Sequence, residues 1–392
     1  MKKNLFILAA AALALASCSS DETVESAALS KSNEINFRTL VSGATRSTAG
    51  PFAGGTTFNT NDAINVYAAF YDASATTNRK YFQADFTKQL SGGFTSSAKY
   101  YWPAFDTDDK MTFTAIYGAT QSTNTVGMVD DYTPAAAAAS QMDVMVAKKE
   151  VGAKEDPVVL NFRHALSQIV VQVKNTNAAL DFDITGVRVG YVSTTGDFTY
   201  SGGVTTSQEG SGHTTPTNIL VDANDWTPAA MTGDTKANSY KYDQTWAAQT
   251  FTSTQSATAL TSFNPWLLIP QTQTAATAYI AATQGVATAN TTLNGSYIAL
   301  ELEIYNYNGS ARSNKLVTKQ WCYWPCAFTW NPGYKYTYTV DLAGGGYQPI
   351  NTESASTTLD PVFGDVIVFS PDCTVDYWVV PADINVPATP AP

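Results

Sequence analysis

Apolar and polar residues alternate in stretch after stretch of this chain, and a period of two commits each such stretch to a strand with one buried face. Ile64, Val66, Ala68 and Phe70 keep this period, and Met111, Phe113, Ala115 and Tyr117 repeat it. Further on, Ile298, Leu300, Leu302 and Ile304 alternate against Glu301 and Glu303. Tyr334, Tyr336, Tyr338, Val340 and Leu342 alternate against Lys335, Thr337, Thr339 and Asp341. Composition agrees: 21 Tyr, 18 Phe and only 14% charged residues favour strands and turns over long helices. The expected class is all-β. At 392 residues, with 44% of them hydrophobic, there is room for two domains that each bury a core.

Turn chemistry divides the chain. Gly92-Gly93 marks a turn, and Tyr100-Tyr101-Trp102-Pro103 ends an extended piece where Pro103 stops the ladder. Residues 119–141 read as a loop, because the alanines from 135 to 139 lack amphipathic flanks and support no more than a turn or two of helix. Asp143 to Ala147 reads as the last strand of a first domain, and the charged stretch Lys148 to Asp156 as its link. A second domain then opens at Pro157. Its apolar residues fall on even positions at Leu160, Phe162 and Leu166 and on odd positions at Ile169, Val171 and Val173, which predicts a bulge or turn near Ser167 and Gln168. Ile184–Tyr191 and Trp266–Thr272 read as further extended pieces. Segments 201–219 and 227–262, rich in Thr, Ser, Gly and Ala, read as long surface loops. The domains expected are therefore 34–156 and 157–343, with a tail over 344–392.

The N-terminus reads as a leader over residues 1–17. Lys2 and Lys3 precede the apolar run Leu5–Leu15, which is too short to span a membrane, and Leu15-Ala16-Ser17-Cys18 closes it. This ending resembles the lipobox of bacterial lipoproteins, and that resemblance makes Cys18 the acylated first residue of an exported protein. Residues 18–33 are small and polar and read as a flexible tether. The formal charge of −11 excludes a basic nucleic-acid footprint and fits an acidic, solubilising coat.

Between tether and first domain lies Glu34 to Val41, with Ile35, Phe37 and Val41 on one face, and Thr45-Arg46 follows it. We read this strand as replaceable. Cleavage between Arg46 and Ser47 would remove it and leave an apolar groove with unpaired backbone on its rims, an edge that must find another strand. The tail offers one, with Ile367, Phe369, Cys373, Val375, Tyr377 and Val379 apolar and Ser370, Asp372, Thr374 and Asp376 polar between them. Pro371 interrupts this candidate donor strand, and the alternative is that the tail completes the sheet of its own domain.

Catalysis has little to stand on. His164 falls on an apolar parity and reads as a packed core histidine, and His213 lies in a Ser/Thr/Gly loop. No nucleophile elbow, zinc-protease helix or phosphate loop occurs, so no catalytic residue, metal or cofactor is assigned. Asp108-Asp109 and Asp130-Asp131 are sequence neighbours, which point apart on a strand and are solvated in a loop. In an exported protein Cys322 and Cys326 are candidates for a local disulfide across Tyr323-Trp324-Pro325, leaving Cys373 free, or Cys373 pairs with one of them and ties down the tail.

The order of the pieces resembles the fimbrillin-like family, the lipoprotein-derived subunits of type V pili. The matching pieces are Asp62-x-Ile64-x-Val66, Tyr101-Trp102-Pro103 before the Phe113–Tyr117 strand, and Leu160-x-Phe162-x-His164-Ala165-Leu166-Ser167. They continue with Leu268-Ile269-Pro270-Gln271 and Trp330-x-Pro332-Gly333-x-x-Tyr336-x-Tyr338. The resemblance implies two tandem transthyretin-like β-sandwiches, export to the outer membrane and cell surface, and removal of the N-terminal strand by a trypsin-like protease. It also implies strand exchange with other pilus subunits in a fimbrium, with adhesion to host or bacterial surface glycans or proteins. Two alternatives accompany it: an unprocessed anchor subunit that keeps Cys18, and a lipoprotein that binds glycans on exposed Trp226 and Trp246.

Overall fold

In the computed structural model the described residues are 33–41, 58–90, 92–201, 221–232, 240–276, 295–344 and 372–377. Cys18, Arg46, Ser47, Ile367, Phe369 and Val379 lie outside them. The class is all-β. The first eight strands are β1 (Phe37–Val41), β2 (Ala63–Asp72), β3 (Thr77–Lys88), β4 (Phe94–Thr95), β5 (Lys110–Tyr117), β6 (Met128–Tyr132), β7 (Met145–Val151) and β8 (Val158–His164). All but β6 form one sheet in the order β1-β4-β3-β2-β5-β7-β8, which closes on itself. The alternating residues of β2 and β5 point inward, so Ile64, Val66, Phe70, Met111 and Phe113 meet Phe86, Leu160 and Phe162 in one core.

The remaining strands are β9 (Ser167–Asn175), β10 (Leu180–Gly190), β11 (Gly196–Thr199), β12 (Trp226–Pro228), β13 (Lys241–Phe251), β14 (Gln255–Ala259), β15 (Trp266–Leu268) and β16 (Thr272–Gln273). They continue with β17 (Tyr297–Tyr307), β18 (Arg312–Pro325), β19 (Phe328–Thr329), β20 (Tyr334–Asp341) and β21 (Asp372–Tyr377). Two sheets, β13-β10-β17-β18 and β14-β9-β20-β21, enclose a second core. Ile169, Val171, Tyr338 and Val340 come to it from one sheet and Phe182, Val187, Leu300 and Leu302 from the other. A third apolar cluster joins Ile116, Val144 and Val146 to Phe198, Trp226, Leu267 and Ile269.

Four expectations about the chain's course change. β8, expected to open the second domain, pairs with β1 and β7 in the first sheet. The parity switch near Ser167 is the point where the chain leaves that sheet for β9, with Ala165 and Leu166 buried in the third cluster. A change of face looks the same in sequence whether the strand bulges or changes sheet. The stretch 119–141 contains β6, which pairs with β11. Likewise 227–262 contains the 11-residue β13. β13 stands at a sheet end and buries Tyr242 and Phe251 near its two ends, so its strand state comes from the ladder with β10 and not from its own pattern.

Candidate functional site

The place where the first sheet closes is the site that the sequence singles out. β1 runs parallel to β8, from Phe37 opposite Val158 to Val41 opposite Phe162. On its other side a single antiparallel pair, Phe37 with Phe94, joins it to β4. Ile35 and Phe37 are 2% and 1% exposed. The Phe37 ring stands edge-on to Phe86 at 4.8 Å and to Phe113 at 5.3 Å between centroids, a favoured aromatic geometry. Full burial of such a ring is worth about 1.5–3 kcal/mol. Residues 33–36 are held separately. Ile35 N donates to Tyr100 O at 2.7 Å, Trp102 N to Asn33 O at 3.0 Å and Val158 N to Asn36 O at 2.9 Å. Lys99 and Glu34 add an exposed ion pair at 3.0 Å, worth little by itself.

Phe58 is a part of this site that sequence reasoning missed. It is 4% exposed and packs edge-on to Phe94 of β4 (5.5 Å), Tyr117 of β5 (5.1 Å) and Phe162 of β8 (5.1 Å). The only signal was an aromatic without periodic neighbours in a Gly/Thr/Asn-rich stretch. A tight turn fixes its backbone: Asn59 N donates to Asp62 Oδ2 at 2.7 Å and Asp62 N to Asn59 O at 3.0 Å. Burial pushes the Asp62 carboxyl above its usual range, against the pull of the Asn59 hydrogen bond.

The other sequence candidates fall elsewhere. His164 is packed at the end of β8 as its parity suggests, its side chain 10% exposed, with Nδ1 2.6 Å from Asp143 Oδ2. Cys322 and Cys326 are not bridged to each other. Cys322 lies within β18, so four residues of extended chain at about 3.3 Å each carry the two apart, beyond the reach of a disulfide. Burial pushes the Cys322 thiol up to about 12, which makes it a packing residue. Cys373 is exposed in β21, opposite Tyr338. Trp226 is buried against Phe198 and Tyr132 and donates Nε1 to Ala165 O at 2.6 Å, so it presents no face to a sugar. Trp246 is half-buried against the second core. Val375 and Tyr377 of the candidate donor strand lie in β21, which pairs antiparallel with β20 of the same chain.

Comparison with known proteins gives three findings. No curated protein matches the chain. Solved structures do: a fimbrial protein from Bacteroides vulgatus ATCC 8482 matches at 14% identity, covering 88% of this chain and 99% of that one with a TM-score of 0.48. A fimbrial assembly protein from Parabacteroides distasonis ATCC 8503 matches at 12% identity, covering 83% and 98% with a TM-score of 0.34. The profile of the family described as fimbrillin-like matches residues 45–359, well over half the sequence. The chain therefore belongs to the fimbrillin-like family.

Proposed function

We propose that this protein is a structural subunit of a surface fimbrium, exported as a lipoprotein acylated on Cys18 and assembled by exchange of β1 for a strand of a neighbouring subunit. The supporting observation is the position of β1. It closes the first sheet and buries Phe37, yet it connects to the rest of the chain through the segment that carries Arg46. Cutting after Arg46 leaves β1 held without a covalent bond, and its loss exposes an apolar groove whose rims are the backbones of β4 and β8. The tail over 344–392 is the proposed donor, with Ile367, Phe369, Val375, Tyr377 and Val379 as its apolar face. β21 pairs with its own β20 in the single chain, so donation of that part exchanges one ladder for another. The subunit's role is mechanical and adhesive, with other subunits as partners.

Incubation with a trypsin-like protease tests this reading. The expected result is a new N-terminus at Ser47 and a ladder of SDS-resistant oligomers, lost on deletion of residues 365–392. A chain that is cut after Arg46 and stays monomeric refutes it.

A further inference from the structure

Apart from β1, the two rims of its site have short ladders to the rest of the sheet. β4 has two residues and meets β3 through Thr87 with Thr95 and Lys88 with Phe94, with Gln89 N donating to Gly93 O at 3.0 Å in the turn between them. β8 meets β7 through Met145 with His164 and Val146 with Arg163, and Ala165 N just beyond donates to Val144 O at 2.7 Å. Strand pairs this short are marginal without packing to hold them. One side chain spans the gap. The Phe58 ring touches Phe94 on the β4 rim and Phe162 on the β8 rim, and it rests on Tyr117 of the sheet between them in space. Its backbone is tied down independently of β1. Asn61 N donates to Lys88 O at 2.9 Å and Lys88 N to Asp62 O at 2.8 Å, which locks the turn after Phe58 onto the ends of β2 and β3. Phe58 also follows Arg46 in sequence, so a cut after Arg46 leaves it with the body of the protein.

We propose that Phe58 is a staple across the vacated groove, a positioning residue that holds the β4 and β8 rims at strand-accepting separation after β1 has left. This rests on the strand-exchange reading and adds to it a residue that no strand-donating partner supplies. Binding to a groove already held open avoids the cost of ordering its rims, so the staple acts on capture of the incoming strand. In the uncut chain β1 itself bridges β4 and β8 and the staple is redundant with it.

The test uses the full chain cut after Arg46 and a fluorescent synthetic peptide with the sequence of residues 33–46, which competes with the severed segment. Wild type should capture the peptide. Phe58→Ala should bind it about ten-fold or more weakly, with Phe58→Leu in between. Hydrogen exchange at β8 amides should rise more, relative to wild type, in the cut and emptied protein than in the uncut one. Phe58→Leu keeps most of the apolar volume and serves where the alanine variant does not fold. Peptide binding unchanged by both substitutions, or exchange raised equally in cut and uncut protein, overturns the staple and leaves strand exchange standing. Failure of the wild-type cut protein to capture the peptide refutes strand exchange itself, and the staple falls with it.

Discussion

Each strand of the first sheet has two hydrogen-bonded neighbours because β1 reaches from β4 to β8, whereas the second unit leaves β13, β18, β14 and β21 at sheet ends among the described residues. Two of the ends that stand open, β18 and β13, carry protection. β18 takes three register shifts against β17, each placing an extra residue on β18, and it presents Lys315 and Lys319. Bulges and lysines are what keep an edge from pairing with another chain. β13 is fastened by its glutamines: Gln244 exchanges two hydrogen bonds with the backbone of Asn264 at 2.6 and 2.9 Å, and Gln249 accepts from Thr261 N at 2.7 Å. The first sheet needs no such devices while β1 is present. These two standing edges are guarded, and the edge proposed for exchange is created only when β1 leaves.

Breaking the closed side of this comparison should have the largest effect. Phe37→Ala empties the aromatic slot against Phe86 and Phe113, and it should cost about 3–5 kcal/mol in the unfolding of the first sheet while the second core holds. Urea unfolding followed by amide exchange of β2 and β17 would read the two separately. Equal loss in both strands would show that the third cluster couples the two cores. On the open side, Arg188 is 7% exposed on β10 and forms a two-armed ion pair with Asp243 of β13 at 2.6 and 2.9 Å. Asp243→Ala leaves that guanidinium buried without its charge partner, at a cost of about 2–3 kcal/mol once the partial exposure of the aspartate is allowed for. A double-mutant cycle with Arg188→Met measures it, and a cycle that closes near zero would show the pair to be incidental.

How much of this was legible in the sequence varied with where each strand sits. Strands that face a core on one side and solvent on the other declare themselves, so Ile64–Phe70 and Ile298–Ile304 lie within β2 and β17 as read. β1 was also legible, since Ile35 and Phe37 are buried as their parity requires. β13 was not, because its exposed residues are ordered by a neighbour's backbone. The placement of β8 was hidden because periodicity specifies a face and not a sheet. Phe58 was hidden because a single side chain in a turn has no period at all. The disulfide expectation for Cys322 and Cys326 failed on geometry: proximity in sequence becomes distance once the intervening chain is extended.

A smaller effect follows from the ionic cluster on the outer side of the same sheet. Arg312 donates to Asp181 at 3.0 Å and to both oxygens of Asp183 at 2.9 and 2.8 Å. Burial alone would raise the Asp183 carboxyl, but the hydrogen bonds from Arg312 and Thr250 outweigh it and hold the group below the usual carboxylate range. A carboxyl depressed in the folded state stabilises above its unfolded value, and that stability disappears as pH falls through the folded one. Arg312→Met should therefore cost about 1 kcal/mol at neutral pH, discounted for exposure, and the cost should vanish in acid. Urea midpoints of both proteins at about pH 7 and about pH 2 decide it, and a pH-independent difference would assign the loss to packing against Tyr305.

The smallest change in stability should accompany the largest change in association. Lys315 and Lys319 make exposed ion pairs with Glu303 and Glu301 at 2.7 and 3.0 Å, and such pairs contribute less than about 1 kcal/mol each. Replacing both lysines with valine leaves the ladder to β17 in place and joins the exposed Leu316 to an apolar edge that has lost its charges. Unfolding midpoints should barely move, while light scattering should show concentration-dependent self-association in the uncut protein. The three bulges remain in this variant, so the outcome separates the two guards. If it stays monomeric at high concentration, backbone irregularity alone protects β18, and a second substitution set that removes one inserted residue from the bulged strand becomes the way to expose it.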